Sequence, residues 1–200
     1  VDERGGGGFY GPGRREATIE DLQALPTDPA ALAEKFLSRT AIERPTREKA
    51  QNLKRKPPHI TDEILPNAQI QRTAAMLSGP LPPKVRAGLM RALAAQPGVH
   101  AVGRTTDPLG RAGVALATGD RTATDTADFG TPKAEQGTYR YRFEIIFDER
   151  TGALLSNQTQ LTGPGGKYAE MKPGFVINYE VERASGWTNT KPKPPAELPF

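Results

Sequence analysis

The chain contains no cysteine. That excludes disulfides, iron–sulfur clusters, thiolate zinc sites and a cysteine nucleophile, and it leaves the compartment open. Histidine is scarce as well: His59 and His100 are the only two, far apart in sequence. No apolar run approaches the roughly 20 residues that a membrane helix needs. No segment reads as a signal peptide, and no repeat has a solenoid period. Hydrophobic residues make up 36% of the chain and aromatics 6%, against 21 Gly and 19 Pro. That balance predicts ordered blocks separated by polar segments. The net charge of +4 is diluted by 23 acidic residues. A dedicated nucleic-acid protein concentrates its charge more strongly, so no nucleic-acid partner is expected. The chain opens on Val1 rather than Met. We read it as a processed form or a fragment, with any membrane contact made through an anchor upstream of it.

What is present describes architecture. Residues 1–18, with Gly5 to Gly8 and Gly11-Pro12-Gly13, read as a flexible lead-in. Ile19 to Leu25 suits a short strand or turn. Thr27 as N-cap, Asp28 and Pro29 then open a helix carrying Ala31, Leu32, Phe36 and Leu37, through about Ser38. Residues 43–58 are polar and basic and read as a solvated linker. A second helix is predicted after Thr61, with Asp62 and Glu63 in its first turn and Gly79-Pro80 as its stop. A third begins at Pro82, with Val85, Leu89, Ala92 and Leu93 on one stripe. Five strands follow: Val99 to Thr106, Arg111 to Thr118, Thr138 to Phe147, Ala153 to Leu161, and Phe175 to Val181. The first two flank an Asp107-Pro108-Leu109-Gly110 turn. Helices first and antiparallel strands afterwards predict one α+β domain over residues 19–190. Its helices pack on one face of a curved, mainly antiparallel, half-barrel-like sheet. Residues 191–200 read as a proline-rich tail.

Chemistry is sparse. No carboxylates stand at metal-ligand spacing from either histidine. Asp120, Asp125 and Asp128 lack the glycine and terminal glutamate of a calcium loop. Gly163-Pro164-Gly165-Gly166-Lys167 has no Ser or Thr and no following helix, so it is not a phosphate loop. No serine sits in a nucleophile elbow. No catalytic residue, metal or cofactor is therefore assigned, and no enzyme activity is expected. A hydrolase would need His59 or His100 to converge with a carboxylate in a cleft. The basic stretch Arg44 to Lys56 has no interleaved aromatics for base stacking.

The clearest strand alternates. Tyr139, Tyr141, Phe143, Ile145 and Phe147 share one face, and Arg140, Arg142 and Glu144 the other, with Ile146 the exception. The apolar face is either core beneath the helices or part of an apolar groove for a lipid or peptide. On the groove reading, Tyr139, Tyr141 and Phe143 line its mouth, and Val85, Leu89 and Leu93 its helix side.

Several segments also form an ordered set: Leu25-Pro26-Thr27-Asp28-Pro29-Ala30-Ala31-Leu32; Leu81-Pro82-Pro83 through Ala92-Leu93 and Pro97-Gly98-Val99; Gly103 to Asp107 with Gly110 to Ala115; Ile145-Ile146-Phe147-Asp148 with Thr151-Gly152-Ala153-Leu154-Leu155; and Gly186-Trp187-Thr188. The set resembles a family of actinobacterial membrane-anchored extracytoplasmic proteins of unknown function, often met beside extracytoplasmic-function sigma factors. The resemblance implies an exported domain tethered by a membrane helix, and no catalytic residues. Its architecture is similar, more remotely, to the half-barrels of LolA-type lipoprotein carriers and the envelope-stress regulator RseB.

The expectation is thus a non-enzymatic domain of the cell envelope that binds an apolar ligand, such as a lipid, or an envelope protein. The alternative is a structural or protein-interaction domain with a solid core and a working surface patch. A long apolar strand in an open sheet also predicts that an edge pairs with another polypeptide. The candidates are an N-terminal fragment of the same precursor or a symmetry mate. Phe9 and Tyr10 of the lead-in are the alternative cover.

Overall fold

A computed structural model describes residues 18–57 and 59–183. The glycine runs of the lead-in, Phe9, Tyr10, Trp187 and the proline-rich tail lie outside the described residues.

Five helices come first. α1 (Ile19–Gln23) replaces the expected strand or turn. Its cause is a capping box: Thr18 accepts from the Asp21 N–H, and Asp21 accepts from the Thr18 N–H. α2 (Pro29–Leu32) is capped by Asp28, one residue later than expected. It continues as a π-helical turn over Ala33–Leu37, which brings Phe36 and Leu37 into the core. α3 (Arg39–Asn52) runs through much of the stretch read as a solvated linker. Ser38 caps it, Ile42 and Ala50 bury its inner face, and Glu43 pairs with Arg47 one turn on. Pro45 removes one helical N–H from its interior, a cost this packing offsets. α4 (Leu65–Leu77) starts later than predicted, because the Thr61 carbonyl closes a turn with the Ile64 and Leu65 N–H groups first. α5 (Pro83–Ala94) carries the predicted stripe. Gly88 lets it approach the chain before α2: a Cβ there would lie 2.5 Å from the Thr27 carbonyl oxygen.

Six antiparallel strands follow: β1 (Val99–Thr106), β2 (Ala112–Thr118), β3 (Arg121–Asp125), β4 (Gly137–Phe147), β5 (Leu154–Gly163) and β6 (Val176–Val181). They form one open sheet in the order β1-β2-β4-β5-β6, with β3 also on β4. The architecture is α+β with helices over a curved, unclosed sheet, as the element order predicts. β3 is additional to the predicted strands. Its Arg-Thr-Ala-Thr-Asp sequence has little apolar signal, and pairing with β4 supplies the order.

β2 and β3 share one edge of β4. β2 pairs with Glu144 to Phe147, and β3 with Gly137 to Tyr141. At the break between them, the Thr118 hydroxyl accepts the Phe143 N–H. The helices cover only one end of β4. Ile145 and Phe147 join Leu32, Leu37, Ile70, Leu89 and Leu93 in one dry core. On the opposite face Ile146, Ala115 and Leu155 make a smaller buried cluster.

Candidate functional site

The motifs with the strongest sequence signal have structural work. Asp107 is buried in the β1–β2 turn. One of its oxygens accepts the Leu109 and Arg111 N–H groups, and the other meets the Arg111 guanidinium. Arg111 donates onward to the Leu155 and Glu182 carbonyls. It therefore ties the β1–β2 hairpin to β5 and to the chain leaving β6. Asp148 organises the β4–β5 turn by accepting from the Arg150 and Thr151 N–H groups and the Thr151 hydroxyl. The Thr151 bonds hold its carboxyl below the usual carboxylate range.

The two histidines stand apart in the structure. His59 Nδ1 lies 4.0 Å from the buried Glu43 carboxylate, with the ring 78% exposed. His100 is exposed on β1. Among the described residues no group of three or more His, Asp or Glu is placed to hold a metal. A shallow groove of about 440 Å³ between α2 and α5 is lined by Ala30, Ala33, Glu34, Ser38, Ala95 and Gln96, and includes neither histidine.

The six expected binding residues fall into two groups. Val85, Leu89 and Leu93 are fully buried in the core, with Phe143 packed partly against them. These side chains face other core side chains rather than solvent. Tyr139 and Tyr141 lie beyond the helices, on the same sheet face. There they begin an aromatic ladder. Phe143 and Tyr141 meet edge to face at 5.4 Å, Tyr141 and Tyr139 are 5.9 Å apart, and Tyr139 and Tyr168 meet edge to face at 4.8 Å. Phe175 follows at 6.2 Å from Tyr168. Phe175 is 41% exposed and the neighbouring-loop residue Met171 40%. Sequence reasoning missed Tyr168, Phe175, Met171 and Asp125, because β3 and the β5–β6 loop bring them in from a distance.

Glycine makes that convergence physical. The loop after β5 passes so close to β4 that a Cβ on Gly165 would sit 1.9 Å from the Thr138 carbonyl oxygen. Gly166 has a left-handed φ of 50°. The next turn, a 3-10 turn over Gly166–Tyr168, presents Lys167 and Tyr168 to Tyr139. The Lys167 ammonium lies 5.3 Å from the Tyr168 ring centre, 6.0 Å from that of Tyr139 and 3.2 Å from Asp125. Burial, then the Asp125 charge, pushes the Tyr139 phenol upward, and the hydrogen bond to Asp125 raises Lys167.

The other sheet face carries a polar row. Arg142 lies 2.6 Å from the buried Glu144 carboxylate and donates to Gln160, while Gln158 donates to Glu144. Ser156 Oγ and Gln158 Oε1 are buried there with no hydrogen-bond partner.

No family model, curated protein or solved structure matches the chain.

Proposed function

We propose that this chain is a non-catalytic interaction domain with a solid core, whose working surface is the aromatic ladder beyond the helices. One observation carries the reading: the Tyr139–Tyr168–Phe175 rings continue the core's sheet face out from under its helical cover. Large rings that stay half-wet beside an exposed methionine mark a surface made for contact. The ordered motif set supports placing the domain in an actinobacterial envelope, tethered through an upstream anchor. A second reading, an apolar small ligand or lipid on the same ladder, is favoured by the exposure of Met171 and Phe175. It is distinct from a carrier cavity lined by Val85, Leu89 and Leu93, because those residues are core.

Site-specific photocrosslinking in the native host tests this. A photoreactive residue at Phe175 is expected to form an adduct. The same residue at Leu109, equally exposed on the β1–β2 turn, is expected to form none. Adduct mass separates a protein partner from a small apolar molecule. No adduct at either position, or equal adducts at both, overturns the proposal.

A further inference from the structure

The exposed end of the ladder holds a cation of its own. Lys167 places its ammonium beside the Asp125 carboxylate and in the corner of two rings standing at 80° to each other. Cations are drawn to aromatic faces by the ring quadrupole, and a carboxylate at the rim adds charge attraction. The fit is loose. At 5.3 and 6.0 Å from the ring centres, the ammonium stands at the outer limit of such contacts. A bare ammonium leaves space between itself and the rings that N-methyl groups would fill. A methylated ammonium also sheds its water more readily than a lysine amine does, which suits a half-buried corner. Lys167 can leave without dragging the backbone. Its turn is fixed by the close glycine contacts to β4, while its side chain is 38% exposed and turns about four single bonds.

We propose that the corner of Tyr139, Tyr168 and Asp125 is a binding site for a quaternary ammonium group, with Lys167 as its internal placeholder. The inference rests on reading the ladder as the working surface, and it names the chemistry taken at the ladder's end. Tyr141 and Phe175 extend the apolar wall on either side for whatever carries the ammonium. Lys167 acts as a competitor: it keeps the carboxylate neutralised when the site is empty and must swing out when a ligand enters.

The test is an NMR titration of the purified chain with tetramethylammonium chloride, with sodium chloride at equal ionic strength as the blank. Saturable shifts are expected at Asp125, Tyr139, Lys167 and Tyr168 beyond those of the blank. Lys167→Gln removes the competitor and is expected to tighten binding at least about fivefold. Asp125→Asn is expected to weaken it by a similar factor, and Tyr168→Ala to abolish it. An amide spectrum of Tyr168→Ala that matches wild type away from the corner separates loss of the corner from loss of the fold. Choline and phosphatidylcholine vesicles then distinguish a soluble ligand from a lipid headgroup. Shifts no different from the blank in both wild type and Lys167→Gln overturn the proposal, as does binding that survives Tyr168→Ala. A Phe175 crosslink that persists with such a negative titration leaves the interaction surface standing and removes only the ammonium site.

Discussion

β4 is one strand in two environments. At Ile145 and Phe147 its inward face is sealed under α2, α4 and α5, with almost no exposure, and Phe143 stands half-buried at the border. From Gly137 to Arg142 the same face carries Tyr139 and Tyr141, half-wet, with β3, the end of β5 and the glycine loop beside them and no helix in the core cluster reaching them. Along the inward face the apolar residues recur at every second position, with Ile146 the apolar exception on the other face, so the inward pattern alone does not separate the halves. The lesson is that a strand's pattern assigns a face, and the layer above it decides whether that face is core or surface.

That contrast can be broken from either side. The largest effect is expected at the sealed end, where Phe147→Ala should cost about 3–5 kcal/mol in chemical denaturation, through lost burial and a cavity. Asp107→Ala should cost about 2–3 kcal/mol, because it strips a buried carboxylate from its donors and frees the Arg111 strap. Arg111→Lys keeps the charge but cannot span both carbonyls, and should recover only part of that loss. Gly88→Ala tests the helix layer alone. Alanine favours a helix by about 1 kcal/mol, yet the Thr27 contact should leave a net loss of about 1–2 kcal/mol. At the open end, Tyr139→Ala should cost about 1 kcal/mol or less, the scale of an aromatic pair with little burial behind it. A loss at Tyr139 matching that at Phe147 would mean that the two halves are one core.

The smallest effect concerns pH. The Asp148 carboxyl is depressed in the folded chain, so its contribution is complete above the unfolded carboxylate pKa. It is lost as pH falls through the lower folded value. Asp148→Asn should remove that acid-side dependence while leaving stability near neutrality little changed in slope. A midpoint for Asp148 at or above the ordinary carboxylate range, read by NMR titration, would contradict the turn's hydrogen bonding.

Much of this fold is legible in the residues. Proline-opened α5 and the alternating β4 carry periods that no other structure satisfies, and the Asp-Pro-Leu-Gly turn joins β1 to β2 as expected. α3 is hidden because Pro45 and a run of basic residues mimic a linker. Its helix rests on a cap and on Ile42 and Ala50, spaced too widely to stand out. β3 is hidden because its order is borrowed from β4. Of the candidate site, the sequence exposes Tyr139 and Tyr141 but not their partners. Asp125 and Lys167 are joined only by tertiary pairing, and the burial of Val85, Leu89 and Leu93 depends on a layer whose extent no local pattern records.

Among the described residues the helices precede the strands, and the core their apolar faces share is completed only when β1, β2 and β4 arrive. At ordinary rates of synthesis that gap lasts on the order of seconds. During it Leu32, Phe36, Leu37, Ile70 and Leu89 are available to any apolar surface nearby. Within the described residues the apolar helices thus come before their cover, and what shields them in that interval bears on folding alongside the stability of the finished sheet.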